Sequence, residues 1–332
     1  MNLLITGGAG YIGSHFVHES LKRGDTCVVL DDLSTGYENF IPADVLVRGN
    51  CGNVDLVSQL LEDFKVETVV HFAGSAYVAE SVKDPAKYYA NNIVNSIGLL
   101  EAMRCTQTKK IIFSSSCTVY GIPQVLPITE ATPTQPINPY GSSKLFVENM
   151  LRSYDYAYGI KSLSLRYFNA AGNATWGLHG ELHRPEPHVI PRLFYTALGL
   201  YPVFEVLGNN VPTPDGTCIR DYIHVLDLVQ AHQLALDYLK IHNTSDFFNL
   251  GTGSGISVLQ LIKGVEAVTG RKVPFRLEAG RLGDPPILVA NAQKAASLLG
   301  FKPVHSSLEN ILQTAWDWFT RAASQNLLIA HP

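Results

Sequence analysis

Apolar residues in this chain fall into short continuous runs separated by longer stretches with helical periodicity. The runs Leu3-Leu4-Ile5, Val28-Val29-Leu30, Val69-Val70, Lys110-Ile111-Ile112-Phe113-Ser114 and Lys161 to Tyr167 predict strands near residues 2–6, 26–30, 67–71, 109–114 and 161–167. Strands that are apolar almost throughout are covered on both faces. A sheet of this kind with intervening helices is a parallel, doubly wound α/β sheet. After about residue 170 the alternation loosens into Ala171-Gly172-Asn173-Ala174-Thr175-Trp176-Gly177 and Pro- and His-containing loops as far as Pro191. The expected organisation is a Rossmann-type domain over 1–170, completed by segments returning near 220–250, and a smaller mixed α/β lobe over 171–332. Within that lobe the pattern predicts a helix from about Leu226 to Leu239 and a strand ending at Phe248-Asn249-Leu250-Gly251. A helix from Val258 to Val268 would be capped by Ser257, and a last helix would run from Leu308 to Ala322.

The first strand feeds Thr6-Gly7-Gly8-Ala9-Gly10-Tyr11-Ile12-Gly13. Gly8, Gly10 and Gly13 satisfy G-x-G-x-x-G, and Gly7, Gly10 and Gly13 satisfy the more open G-x-x-G-x-x-G. Glycines there permit a tight turn and let the backbone approach a pyrophosphate at the N-terminus of the following helix, which runs through about Lys22. Three glycines before a helix can also be no more than a turn. The context decides: a strand precedes them, a helix follows, and the second strand ends in Asp31, 18 positions after Gly13. Asp31 can accept hydrogen bonds from a ribose diol and would repel a 2′-phosphate. Asp32 and Leu33 follow it in place of an arginine, which favours NAD over NADP.

Tyr140-Gly141-Ser142-Ser143-Lys144 puts a phenol and an ammonium four residues apart, on one face of a helix. A nearby cation lowers a phenol pKa that is otherwise about 10, so a phenolate base is expected at Tyr140. Alone, the pair is more often a surface tyrosine and lysine. Ser116, in the run Ser114-Ser115-Ser116-Cys117-Thr118 after the fourth strand, would fall on the same carboxyl edge of the sheet as the cofactor turn.

Composition fits a packed intracellular enzyme. The chain has 332 residues, 46% hydrophobic and 16% charged, enough for a large core and too apolar for disorder. A net charge of −4 with pI near 6.2 offers no basic stripe, so no nucleic-acid partner is expected. No apolar run approaches the roughly 20 residues of a membrane span, and no secretory pattern opens the chain. Five cysteines, an odd number without C-x-x-C spacing, read as small buried hydrophobes in a reducing cytoplasm. No His/Cys/Asp/Glu grouping has metal-ligand spacing, so no metal is expected, and His71 is read as a packed residue at its strand end.

Together these runs resemble the extended short-chain dehydrogenases/reductases, and within them the UDP-glucose (UDP-galactose) 4-epimerases, over nearly the full length. The matching segments are Thr6 to Ser14, His71 to Gly74, Ser114 to Gly121, Tyr140 to Lys144, Arg166 to Asn169, Arg220 to Val225 and Arg281 to Asp284. The resemblance implies an isomerase that keeps NAD bound, with Tyr140 as base, Lys144 supporting the phenolate and Ser116 guiding the proton. It implies further cofactor contacts from Tyr11, Ile12, Asn50, Cys51, Phe72, Ala73 and Gly74. Asn91, Ser114, Tyr167 and Phe168 complete that set. For a UDP-sugar it implies Arg220 and Arg281 on the pyrophosphate, Asp284 on the uridine ribose, Leu207 on the uracil and Asn169 at the sugar-phosphate junction. Val189 and Leu288 would also line the sugar-nucleotide site, and Leu288 would gate sugar size.

The chain also departs from the family's pattern. Ala76 stands where many epimerases have a lysine, and Asn50 where an aspartate often meets the adenine. The acid pair of a dehydratase and the glutamate of a decarboxylating relative are replaced by Cys117 and Thr118. N-acetylhexosamine, pentose or uronate epimerisation stays open, as does a non-enzymatic NAD-sensing protein. By resemblance a homodimer is expected, pairing helices near 92–105 and 142–158 through Leu145, Phe146, Met150 and Leu151.

Overall fold

A computed structural model describes residues 1–177, 179–208, 210–280 and 285–328. Strands β1 (Asn2–Thr6), β2 (Thr26–Asp31), β3 (Leu46–Arg48), β4 (Thr68–His71), β5 (Lys110–Ser116) and β6 (Lys161–Tyr167) form one sheet with the strand Asp246–Leu250. Its spatial order is Asp246–Leu250, β6, β5, β4, β1, β2, β3, and every pairing is parallel. Order reverses between β1 and β4, and the crevice at such a switch point is where open α/β sheets bind ligands.

Alternate residues serve opposite faces, as the period of two requires. Leu3, Ile5, Cys27, Val29, Val70 and Ile112 join one core, where they meet Phe16 and Val17 of the helix Tyr11–Lys22 and Leu228, Ala235 and Leu239 of the helix Val225–His242. Leu4, Val28, Leu30, Val69, Ile111 and Phe113 join another, against the helices Val54–Asp63, Asn95–Thr106 and Pro139–Tyr158. The two-sided burial explains the unbroken apolar runs. Both Val225–His242 and the strand Asp246–Leu250 return to this sheet, the latter pairing with β6.

A further core lies among the helices Val189–Ala197, Val258–Thr269 and Leu308–Ser324, filled by Leu193, Phe194, Leu261, Ile311, Trp318 and Phe319. Ser257 caps the second of these with a reciprocal capping box through Gln260. The strand Ile219–His224 joins the regions: Asn169–Ala171, directly after β6, pairs with one edge, and Gly255–Ser257 and Ile287–Leu288 also pair with it. The buried Asp221 carboxylate fixes its position by accepting hydrogen bonds from the Thr252, Gly253 and Ala290 N–H groups at 2.9, 2.9 and 3.1 Å.

Two expectations change. The helix preceding β5 starts with a π-helical segment, Tyr89–Val94, before continuing as Asn95–Thr106. Of the four residues expected to pair with a second copy, Leu151 is buried against the chain's own sheet and Met150 packs beside it, because they share a helix face with Val147. Leu145 packs beside Cys117 and Phe168, which leaves Phe146 exposed.

Candidate active site

The glycine turn closes onto β4. Gly7 has φ +71°, and a Cβ there would lie 2.5 Å from the Ala73 backbone nitrogen. A Cβ on Gly13 would lie 2.3 Å from the Gly7 carbonyl oxygen. Only bare backbone lets the helix start this close to the turn, which leaves its first N–H groups facing the crevice. Asp31, at the end of β2, is buried, and its carboxylate accepts the Ala9 and Leu33 N–H groups, each at 2.9 Å. Burial raises its pKa, opposed by those two bonds. About four acceptor sites on a carboxylate leave two for a ribose diol.

Across the crevice, Asn138 caps the helix Pro139–Tyr158 by accepting the Gly141 N–H at 2.8 Å, with Pro139 in the first turn. Tyr140 and Lys144 therefore project from its first two turns toward the end of β5. The Lys144 ammonium donates to the Ser114 carbonyl at 2.8 Å and stands 5.9 Å from the Tyr140 ring centre. Ser116 Oγ accepts from the Thr118 N–H and Oγ1 at 3.2 and 3.0 Å. Tyr167, from the end of β6, hydrogen-bonds Ser114 and stands near Tyr140.

The expected lowering of the Tyr140 pKa is not found. Burial pushes the phenol well above its ordinary value, Tyr167 adds to this, and a hydrogen bond with Ser116 opposes it only in part. Spacing brought the cation near, but the ammonium is directed at the Ser114 carbonyl, and enclosure of the phenol decides its pKa. Lys144 moves the other way. Burial lowers its pKa to about 8, and Glu148 one turn along the helix opposes the fall.

One cleft of about 1110 Å³ takes in the whole constellation. Single-ligand pockets run to roughly 1,000 Å³, so this one has room for a dinucleotide beside part of a second ligand. Gly7, Gly10, Tyr11, Ile12, Gly13, Asp31, Asn50 and Cys51 line one end. Phe72, Ala73, Gly74, Asn91, Ser114, Ser116, Tyr140, Lys144, Tyr167 and Phe168 line the middle. Asn169, Val189, Leu207, Arg220 and Leu288 line the remaining wall. Arg220 Nη1 donates to the Ile219 carbonyl at 2.9 Å, which orients the guanidinium while most of its donors stay uncommitted among the described residues. Arg281 and Asp284 lie outside the described residues.

Residues 3–251 match the NAD dependent epimerase/dehydratase family. The chain belongs to that family. It is 46% identical to the UDP-glucose 4-epimerase of Lactobacillus helveticus over 319 residues, 96% of this chain and 97% of the relative. The fold superposes on the UDP-glucose 4-epimerase of Brucella ovis in complex with NAD at a TM-score of 0.93. That pair shares 47% identity, with 96% and 98% of the two chains covered. The UDP-glucose 4-epimerase of Stenotrophomonas maltophila, solved with NAD and formylated UDP-arabinopyranose, gives a TM-score of 0.94 at 39% identity, covering 98% and 99%.

Some residues behind the cleft take a role that the sequence does not indicate. Arg166 and Glu148 form a buried ion pair: Nε donates to Glu148 Oε1 at 2.8 Å, Nη2 to Oε2, and Nη1 to the Tyr120 hydroxyl at 2.9 Å. Ser115 also donates to Glu148. Asn92 bridges the loop after β4 to the active-site helix, donating to the Ser75 carbonyl at 3.0 Å and to Ser143 Oγ at 2.9 Å. The sequence shows no metal-ligand spacing, yet folding gathers one group of candidate ligands among the described residues. Glu181, His183, Glu186 and His188 converge, although their linear spacing matches no common ligand pattern.

Proposed function

We propose that the chain interconverts UDP-glucose and UDP-galactose by reversible oxidation at the sugar C4. One observation carries the reading: a serine, tyrosine and lysine face the same cleft as a glycine turn suited to a dinucleotide, at the carboxyl edge of one sheet. NAD, when bound, supplies a hydride acceptor and a second positive charge near Tyr140. The chain's residues then have separate roles. Tyr140 takes the proton of the 4-hydroxyl, Ser116 orients that hydroxyl, and the Lys144 charge favours the phenolate against the cost of burial. Arg220 anchors the pyrophosphate, so the 4-keto sugar can turn about its tether and be reduced on its other face. The cofactor contacts fall to residues 1–170 with the returning 220–250 segment, and the sugar-nucleotide contacts mainly to 171–332. Arg281 and Asp284 complete the nucleotide site.

We also propose a homodimer through the helix Asn95–Thr106 with its π-helical start and the helix Pro139–Tyr158, where Val94, Ile97 and Phe146 are exposed. Cytoplasmic residence suits five unpaired cysteines, three of them buried. No helix among the described residues is long and apolar enough to cross a membrane.

Conversion of UDP-galactose, followed through a UDP-glucose-specific coupled absorbance assay, tests the chemistry. Tyr140→Phe should lower the rate by about 10²–10⁴-fold, the usual contribution of a general base, while NAD content stays unchanged. An undiminished rate would remove Tyr140 from its assigned role.

A further inference from the structure

We infer that Glu181, His183, Glu186 and His188 form a binding site for one divalent transition-metal cation of the zinc type, set in the wall of the cleft. This goes beyond the epimerase reading and does not rest on it. One candidate ligand atom from each of the four side chains falls in a group no more than 4.8 Å across. Glu186 Oε1 lies 2.8 Å from His188 Nδ1, and Oε2 lies 3.2 Å from His183 Nδ1. Glu181 Oε1 lies 3.2 Å from His188 Nδ1 and 3.8 Å from His183 Nδ1. A tetrahedral zinc with bonds of about 2.0–2.1 Å holds its ligand atoms roughly 3.3 Å apart, in the middle of that spread.

Charge and donor type agree with the geometry. Two imidazole nitrogens and two carboxylates make a set suited to a borderline cation, and the two negative charges balance its two positive ones. The glutamates are enclosed, with side chains 7% and 0% exposed. Among the described residues, their ion-pair contacts are with these histidines alone. The Glu181 carboxylate accepts no hydrogen bond among the described residues and faces the two imidazoles, with His188 Nδ1 at 3.2 Å and His183 Nδ1 at 3.8 Å.

Outer contacts hold the set in place. The His188 N–H donates to Glu186 Oε1 at 2.9 Å, Trp318 Nε1 donates to the Glu181 carbonyl at 3.0 Å, and the Tyr77 ring meets both imidazoles edge to face. Such surroundings restrict the ligands to few orientations. A bound ion would staple the segment 181–189, which carries Leu182 and Val189 into the cleft.

The test uses untagged protein stripped by chelator and passed through a desalting column after addition of ZnCl₂. Elemental analysis should then find one zinc per chain, and CoCl₂ should give the intense visible bands of a tetrahedral site. Glu186→Gln and His183→Ala, each verified as folded by NAD content, should retain at least tenfold less zinc. The proposal is overturned if the wild type retains no stoichiometric zinc, or if both folded variants retain as much as it does. In that case the group is held by shared protons alone.

Discussion

Glu148 and Arg166 offer the sharpest quantitative test of how the catalytic edge is supported. Their side chains are 5% and 4% exposed, and three Arg166 donors are committed, two to Glu148 and one to Tyr120. The guanidinium also lies 4.2 Å from the centre of the Phe247 ring. Glu148→Leu would leave that cation enclosed without its counter-charge, and Arg166→Leu would leave the carboxylate with Ser115 as its remaining donor among the described residues. Breaking a buried pair from one side costs about 3–5 kcal/mol, whereas replacing both members by apolar residues is often neutral or better. The double variant should therefore recover at least about 3 kcal/mol of the summed cost, a strong coupling for a contacting pair. Urea unfolding reads this directly. With a slope of roughly 3 kcal/mol per molar, each single change moves the midpoint down by about 1 M or more. Because Glu148 opposes the fall of the Lys144 pKa, its loss should also bring Lys144 closer to the neutral amine, lowering activity below pH 8. Single variants within about 1 kcal/mol of wild type, or costs that simply add, would show that the pair is not the support described.

Other consequences can be measured separately. Gly13→Ala places a methyl 2.3 Å from the Gly7 carbonyl oxygen and 2.8 Å from the Gly8 Cα. Neither backbone atom can yield cheaply, so NAD affinity should fall at least tenfold by fluorescence titration, and an unchanged dissociation constant would contradict the crowding. Leu288, buried beside Cys117 and Phe168 at the cleft wall, fills space that a smaller residue would release. Leu288→Cys should raise kcat/KM for UDP-N-acetylglucosamine relative to UDP-glucose, and a constant ratio would exclude Leu288 as the gate. Lys144 has a folded pKa of about 8, below its unfolded value of about 10.4. Between those values the unfolded chain binds more protons, so wild-type stability should rise with pH by up to about 3 kcal/mol relative to Lys144→Met. Parallel stability curves for the two proteins over pH 8–10 would refute the buried-ammonium assignment.

How much of this was legible in the sequence depends on the range over which each feature is fixed. The β1 turn, Asp31 and the Tyr140/Lys144 pair are local patterns whose meaning comes from the strand or helix that carries them, and those elements stand where periodicity puts them. β3 is only Leu46-Val47-Arg48 at an open sheet edge, too short and too exposed to leave a period. Glu148 and Arg166 sit on different elements, a helix and β6, and only the packing of one on the other turns them into a pair. The same distinction explains the Tyr140 reversal. Sequence spacing reports which charge can approach the phenol, but its pKa also depends on how completely the sheet edge, Tyr167 and the helix exclude water. That exclusion has a chemical use once a positive cofactor ring lies alongside. A phenol held neutral by burial and a lysine lowered to about 8 are both poised far from their aqueous values, so one added positive charge shifts the proton balance more than it would in water. On the proposed mechanism, proton abstraction by Tyr140 would thereby be coupled to cofactor binding, which is what an enzyme must arrange if it oxidises a sugar only to reduce it again.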